Sequence, residues 1–210
     1  MPSSKKAAVI SADIIGSTAL RPAARKRLQQ ALNTFSRQVT GQWKSLRLEQ
    51  YRGDSLQATI TTGTTDVLTI TLLLQSYLVK EKFHIRTAVG IGNISFSSKN
   101  VITSDGTAFR ASGPYLDELK KNGNMISIAG EHATFTEEWQ THSASLNYII
   151  QRWTPQQAEA IWLHLQHYTQ QAIARKLKIK QPSVHQRLQA GGWPVIQKIL
   201  ARFESVVSAL

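Results

Sequence analysis

The chain has 210 residues, 41% of them apolar. That is enough for one large domain, or for one of roughly 130–150 residues plus a small module, and it excludes a disordered chain. The absence of cysteine excludes disulfides, thiolate metal sites and a cysteine nucleophile, while a formal net charge of +12 points to an anionic partner, most often nucleic acid.

No apolar stretch approaches the ~18 residues that span a bilayer, and MPSSKK has no signal-peptide core of the usual kind. The expectation is a soluble, cytoplasmic protein with no membrane partner. Residues 7–12, AAVISA, read as a buried strand ending at Asp13. Leu28, Leu32, Phe35 and Val39 repeat at helical spacing, giving a helix from about Ala19 to Val39. LRLEQY and SLQATI alternate on either side of Arg52-Gly53-Asp54, a β-hairpin pattern. The segment 66–80, DVLTITLLLQSYLVK, is apolar on every side and reads as a buried helix starting near Thr65 or Asp66, although its composition is also strand-like. A strand at 84–92 follows, then a helix over about 108–122 that Gly113-Pro114 either breaks or delays, then a last strand at 125–129.

The order β-α-β-β-α-β-α-β begins with the split βαβ unit of ferredoxin-like and palm folds. The expected fold class is α+β: a ferredoxin-like or palm βαββαβ domain over 1–132, a connecting helix over 133–152, and an all-α helix-turn-helix domain over 153–210. In the connecting helix Trp139, His142, Leu146, Ile149 and Ile150 line one face.

Thr154-Pro155 pairs an N-cap with a first-turn proline. Thr169 caps a short second helix, QQAIARKL, and a tight turn leads to a third helix with Pro182 in its first turn. Two short helices across such a turn match the DNA-binding helix-turn-helix. Outward on the third helix stand Gln181, Ser183, His185, Gln186, Arg187 and Gln189. Gln pairs with adenine and Arg with guanine in the major groove. Residues 160–203 contain no carboxylate, and Lys176, Lys178 and Lys180 cluster on the turn as a phosphate clamp. The expected partner is double-stranded DNA, met through these residues together with Thr169; the alternative is a helical bundle for protein contacts. The stretch from Thr154 to Leu188 resembles the helix-turn-helix of sigma-factor region 4.

Asp13-Ile14-Ile15-Gly16-Ser17-Thr18 follows a strand and precedes a helix, so Gly16, Ser17 and Thr18 can offer free N–H groups to an anion. In a split βαβ sheet Asp13 and the hairpin-tip Asp54 can converge. Two carboxylates plus substrate phosphates are a common way to hold Mg²⁺. Taken singly, Asp13 could cap the helix and Asp54 could make the turn.

AAVISADIIGSTAL with YRGDSLQATI resembles the two metal-aspartate motifs of class III nucleotidyl cyclases, and IRTAVGIGNI resembles that family's next strand. Together with SDGTAFRASGPYLDELKKNG and the C-terminal helices, the chain looks most like the SatD family of cyclase-related bacterial proteins. The resemblance implies Mg²⁺ or Mn²⁺ on Asp13 and Asp54 with the Ile14 carbonyl as a third ligand, a triphosphate at Gly16, Ser17 and Thr18, a base contact at Gln50, and a homodimer. It also shows departures. The positions of the family's catalytic Asn and Arg read Phe109 and Gly113, with Arg110 near but off-register, and the base-reading Lys reads Gln50. Loss of that Arg removes a charge clamp on the transferring phosphoryl group. The expectation is therefore a DNA-binding regulator with a nucleotide- and metal-binding cyclase-like domain, degenerate as a cyclase. The alternative is an active nucleotidyl cyclase or related nucleotidyltransferase, a Mg²⁺/Mn²⁺-dependent phosphorus-oxygen lyase in which Arg110 or Arg86 replaces the missing Arg.

Overall fold

The computed structural model describes residues 6–51, 53–95 and 105–210. Arg52, Ser104 and the first five residues, which enter the sequence reading, lie outside the described residues. Five strands form one sheet in the order β2-β3-β1-β4-β5. β1 (Lys6–Ile14) is central, antiparallel to β3 (Ser55–Ile60) on one side and to β4 (Ile85–Asn93) on the other. β2 (Leu46–Tyr51) pairs antiparallel with β3, and β5 (Ile126–Gly130) runs parallel to β4. A hairpin suffices for the first connection, whereas the parallel pair requires a crossover helix.

Side chains alternate across a strand, so register assigns each residue to a face. Ala8, Ile10, Ala12 and Ile14 share one face with their partners Leu56, Ala58 and Ile60. On that face lie α1 (Pro22–Gln42) and α2 (Val67–Lys80), with Phe35, Ile70 and Leu74 against Ile10 and Ala12. The opposite face carries α3 (Thr107–Asn122), tied to β1 by a buried Ser11–Ser112 hydroxyl pair at 2.9 Å. A Cβ at Gly90 would run into the Ala108 carbonyl of α3, so the helix lies against bare backbone. The helix runs unbroken through Pro114, which is exposed, and ends at Gly123 in the left-handed conformation (φ 75°). Its buried Ala108, Ser112, Leu116 and Leu119 hold it across the proline.

Helix α4 (Ala133–Ile150) closes the β5 edge with side chains. Asn147 Oδ1 accepts from Met125 N–H (2.7 Å) and Ile126 N–H (2.9 Å), and its Nδ2 donates to the Ile126 carbonyl (2.8 Å). Gln140 donates to the Ile128 carbonyl, and Thr136 exchanges bonds with Gly130. An edge strand thus loses its free backbone groups without a neighbouring strand. Asn147→Ala leaves three such groups unpaired. We expect a loss of about 1–3 kcal/mol, read from urea midpoints, with faster amide exchange at Met125 and Ile126.

In α2 every residue from Val67 to Val79 except the half-buried Thr69 is buried, which one sheet face cannot achieve. The second cover is α5 (Pro155–Leu165), where Trp162 meets Tyr77 at 5.5 Å between ring centroids. α8 (Trp193–Ala209) packs on α4, with Phe203 edge-on to Trp139 at 4.8 Å and Arg202 paired with Glu138 at 2.8 Å. The Arg202 hydrogen bond holds the Glu138 carboxyl below the usual carboxylate range, so this exposed link is present at neutral pH and is lost as pH falls through that lowered value. Packing is continuous across the expected boundary at 152/153. Trp153 Nε1 donates to the Gly191 carbonyl at 2.8 Å, and the buried side chains of sheet and C-terminal helices form one cluster. Between α5 and α8 lie α6 (Gln170–Leu177) and α7 (Gln181–Ala190), joined through Lys178 in the left-handed region (φ 54°). Thr154 closes a capping box with Gln157, and Thr169 accepts from Ala172 N–H. Among the described residues no helix is long and apolar enough to cross a membrane.

Candidate functional site

Asp13 stands near the end of β1, on the α3 face. Register puts Ser55 of β3 directly opposite it on one side and Arg86 of β4 on the other. Three polar residues therefore line up across three adjacent strands. The hairpin tip is drawn to the same end because Ile14 N–H donates to the Asp54 carbonyl at 3.0 Å. Ser55 Oγ lies 3.4 Å from Asp13 Oδ1 and 3.5 Å from Asp54 Oδ1, so both carboxylates meet around one hydroxyl. The remaining Asp54 oxygen, Oδ2, accepts from Ser17 Oγ at 2.5 Å. The remaining Asp13 oxygen, Oδ2, faces Arg86 Nη1 at 3.6 Å, an ion pair too long for a hydrogen bond. Both partners of that pair are more than four-fifths buried, and Arg86 Nε is buried with no hydrogen-bond partner.

After β1 the chain turns at Gly16 (φ 70°) into a single 3₁₀ turn, Ser17–Ala19, and α1 begins at Pro22, three residues later than its periodicity suggested. Proline at the first helical position explains the shift. Among the described residues, the N–H groups of Gly16, Ser17 and Thr18 have no backbone or side-chain acceptor. Ser17 and Thr18 border an open pocket of about 210 Å³ whose other lining residues are Leu20, Arg25, Leu28, Gly53 and Asp54.

The donor set of two carboxylates and hydroxyls is hard oxygen, the chemistry Mg²⁺ and Mn²⁺ take. Among the described residues no group of three or more His, Cys, Asp or Glu could hold a metal, so two protein carboxylates need ligand oxygens to complete a shell. The Ile14 side chain is buried in the core, and its N–H is committed to Asp54.

Gln50 and Arg110, also named from sequence, do not face Asp13. Gln50 pairs opposite Leu56, hence on the α1 face; its amide exchanges hydrogen bonds with Gln29 (2.7 and 3.0 Å) and donates to the Gly53 carbonyl (2.6 Å). Arg110 sits in the first turn of α3, its Nη1 donating to both carboxylate oxygens of Asp105 at 3.0 Å. That turn is anchored to Asn93 at the far end of β4 from Arg86. Ser55 was not singled out in the sequence; the Gly-Asp turn and strand alternation were the available signals, because they fix which residue faces Asp13.

On α7, Gln181, His185 and Gln186 are exposed and Ser183 and Arg187 half-buried, with Lys180 exposed at the N-cap. Gln181 Nε2 donates to Gln170 Oε1 of α6 at 2.8 Å, and the Thr169 hydroxyl is used as a cap.

Compared with known proteins, the architecture is that of a mixed α+β protein similar to nucleotidyl cyclase catalytic domains. A bacterial light-regulated adenylyl cyclase is 10% identical, over 60% of this chain and 77% of that one, with a TM-score of 0.46. The guanylate cyclase domain of RhGC from Catenaria anguillulae, in complex with GTP, is 11% identical over 59% and 78%, with a TM-score of 0.44. The adenylyl cyclase CyaB from P. aeruginosa is 17% identical over 59% and 76%, with a TM-score of 0.40. No curated protein matches the sequence. The chain belongs to the SatD family, whose model matches residues 7–204.

Proposed function

We propose that this chain is a DNA-binding regulator whose cyclase-like part holds a nucleoside triphosphate with Mg²⁺ or Mn²⁺ and is degenerate as a cyclase. The observation that carries the nucleotide half is the meeting of Asp13 and Asp54 around Ser55, beside the free N–H groups of Gly16, Ser17 and Thr18. Asp13 and Asp54 would hold the cation, which when bound neutralises phosphate charge. The Gly16–Thr18 turn and Arg25 would orient the phosphates.

The helices from residue 153 onward would act as the DNA-reading module, with α7 in the major groove, Arg187 and the Gln side chains at base edges, and Lys176, Lys178 and Lys180 on phosphates. The all-α character of this part, the left-handed turn before α7 and the lack of carboxylates over residues 160–203 support it. A homodimer would present two such helices to paired half-sites. Binding to duplex DNA, followed by fluorescence anisotropy, is expected to weaken about 100-fold between roughly 50 and 200 mM salt through counterion release. Arg187→Glu is expected to cost a further tenfold or more. Affinity flat with salt and indifferent to that reversal would remove DNA as the partner.

One observation favours the enzymatic alternative: the guanidinium of Arg86 stands beside Asp13. Incubation with ATP or GTP and Mn²⁺ separates the readings. We expect no cyclic product; a product lost in Asp13→Ala would replace regulator by cyclase.

A further inference from the structure

Two-metal phosphoryl-transfer sites hold a pair of cations about 3.5–4 Å apart. In this chain one oxygen of Asp13 already faces a cationic side chain. Asp13 turns Oδ1 toward the Ser55 hydroxyl, and Oδ2 toward Arg86. Register makes the latter contact an inbuilt one: Asp13 and Arg86 are direct cross-strand partners on the same face of β1 and β4. The guanidinium is largely buried and its Nε has no hydrogen-bond partner, so its charge has little solvent to screen it and, among the described residues, the Asp13 carboxylate to answer it. Arg is not deprotonated in proteins.

We infer that Arg86 is a resident counter-cation standing where a second metal on Asp13 would have to sit, so that Asp13 and Asp54 together would hold one divalent ion. A second divalent ion on Asp13 Oδ2 would face a fixed positive charge at close range. Arg86 thereby sets metal stoichiometry rather than contacting a reacting atom; it is a positioning residue. The inference rests on the proposed metal-binding role of Asp13 and Asp54, and goes beyond it by fixing how many ions that role involves.

The test uses the full chain and Mn²⁺ alone, counting bound ions by the loss of the free Mn²⁺ electron paramagnetic resonance signal, with only ions abolished by Asp13→Asn counted. The expected result is one ion per chain in the wild type and in Arg86→Lys, and two in Arg86→Gln. Two ions in the wild type would overturn the inference and leave the metal site standing. No ion in any variant would remove the metal site itself, and the inference with it. One ion in both wild type and a folded Arg86→Gln, checked by circular dichroism, would show that Arg86 does not limit the count and would also overturn the inference. Should Arg86→Gln not fold, the wild-type count decides.

Discussion

Asp54→Ala is expected to weaken Mn²⁺-dependent binding of a non-hydrolysable nucleoside triphosphate by about 100-fold or more, with the fold intact. Asp54 is where three contributions meet: its Oδ1 faces the hydroxyl shared with Asp13, its Oδ2 takes Ser17 Oγ, and its backbone carbonyl takes Ile14 N–H. The substitution keeps the backbone bond and removes only the carboxylate. A cation left with one protein carboxylate loses one of its two protein charges, and the lost Ser17 bond to the carboxylate is itself worth about 1.5–3 kcal/mol. Ser17 also loses its acceptor, so the Gly16–Thr18 turn is no longer held against the hairpin. Isothermal titration with and without Mn²⁺ checks this. Equal affinity in the variant would mean that any nucleotide binds elsewhere.

The second large effect concerns the fold. Trp139 is fully buried in α4 and touches Phe135, His142 and Phe203. Trp139→Ala is expected to cost about 3–5 kcal/mol, lowering the melting temperature by roughly 10 °C for a chain of this size. Because Phe203 belongs to α8 while α4 seals the β5 edge, the loss should reach both ends of the molecule in one transition. Far- and near-ultraviolet circular dichroism should report the same midpoint. A variant that melts in two steps would show that the C-terminal helices fold as a unit of their own, as the sequence pattern suggested.

The succession of strands and the β2–β3 hairpin were legible because alternation and the Gly-Asp turn are local signals. The helix at 66–80 was legible too, but what covers its outer side was not. An all-round apolar helix announces two partners without naming them, and α5 was supplied by the very segment read as a separate module. The proline in α3 could not be judged locally, since the cost at Pro114 is offset by packing on Gly90. In the site, the aspartates were visible as short motifs. The face of Gln50 was not, because it depends on Tyr51 pairing with Ser55. One step of register decides whether a side chain at the hairpin meets Asp13 or α1. Arg110 was chosen by proximity in sequence, while β4 carries Arg86 and the first turn of α3 to opposite ends of the sheet.

The most direct measurement is a crystal structure of the protein soaked with Mn²⁺ and a non-hydrolysable nucleoside triphosphate, read by anomalous scattering at the manganese edge. An anomalous peak bridging the Asp13 and Asp54 carboxylates, with a phosphate on the N–H groups of Gly16 to Thr18, is the result expected. A nucleotide bound away from both aspartates, or the two carboxylates turned apart with manganese elsewhere, would contradict it.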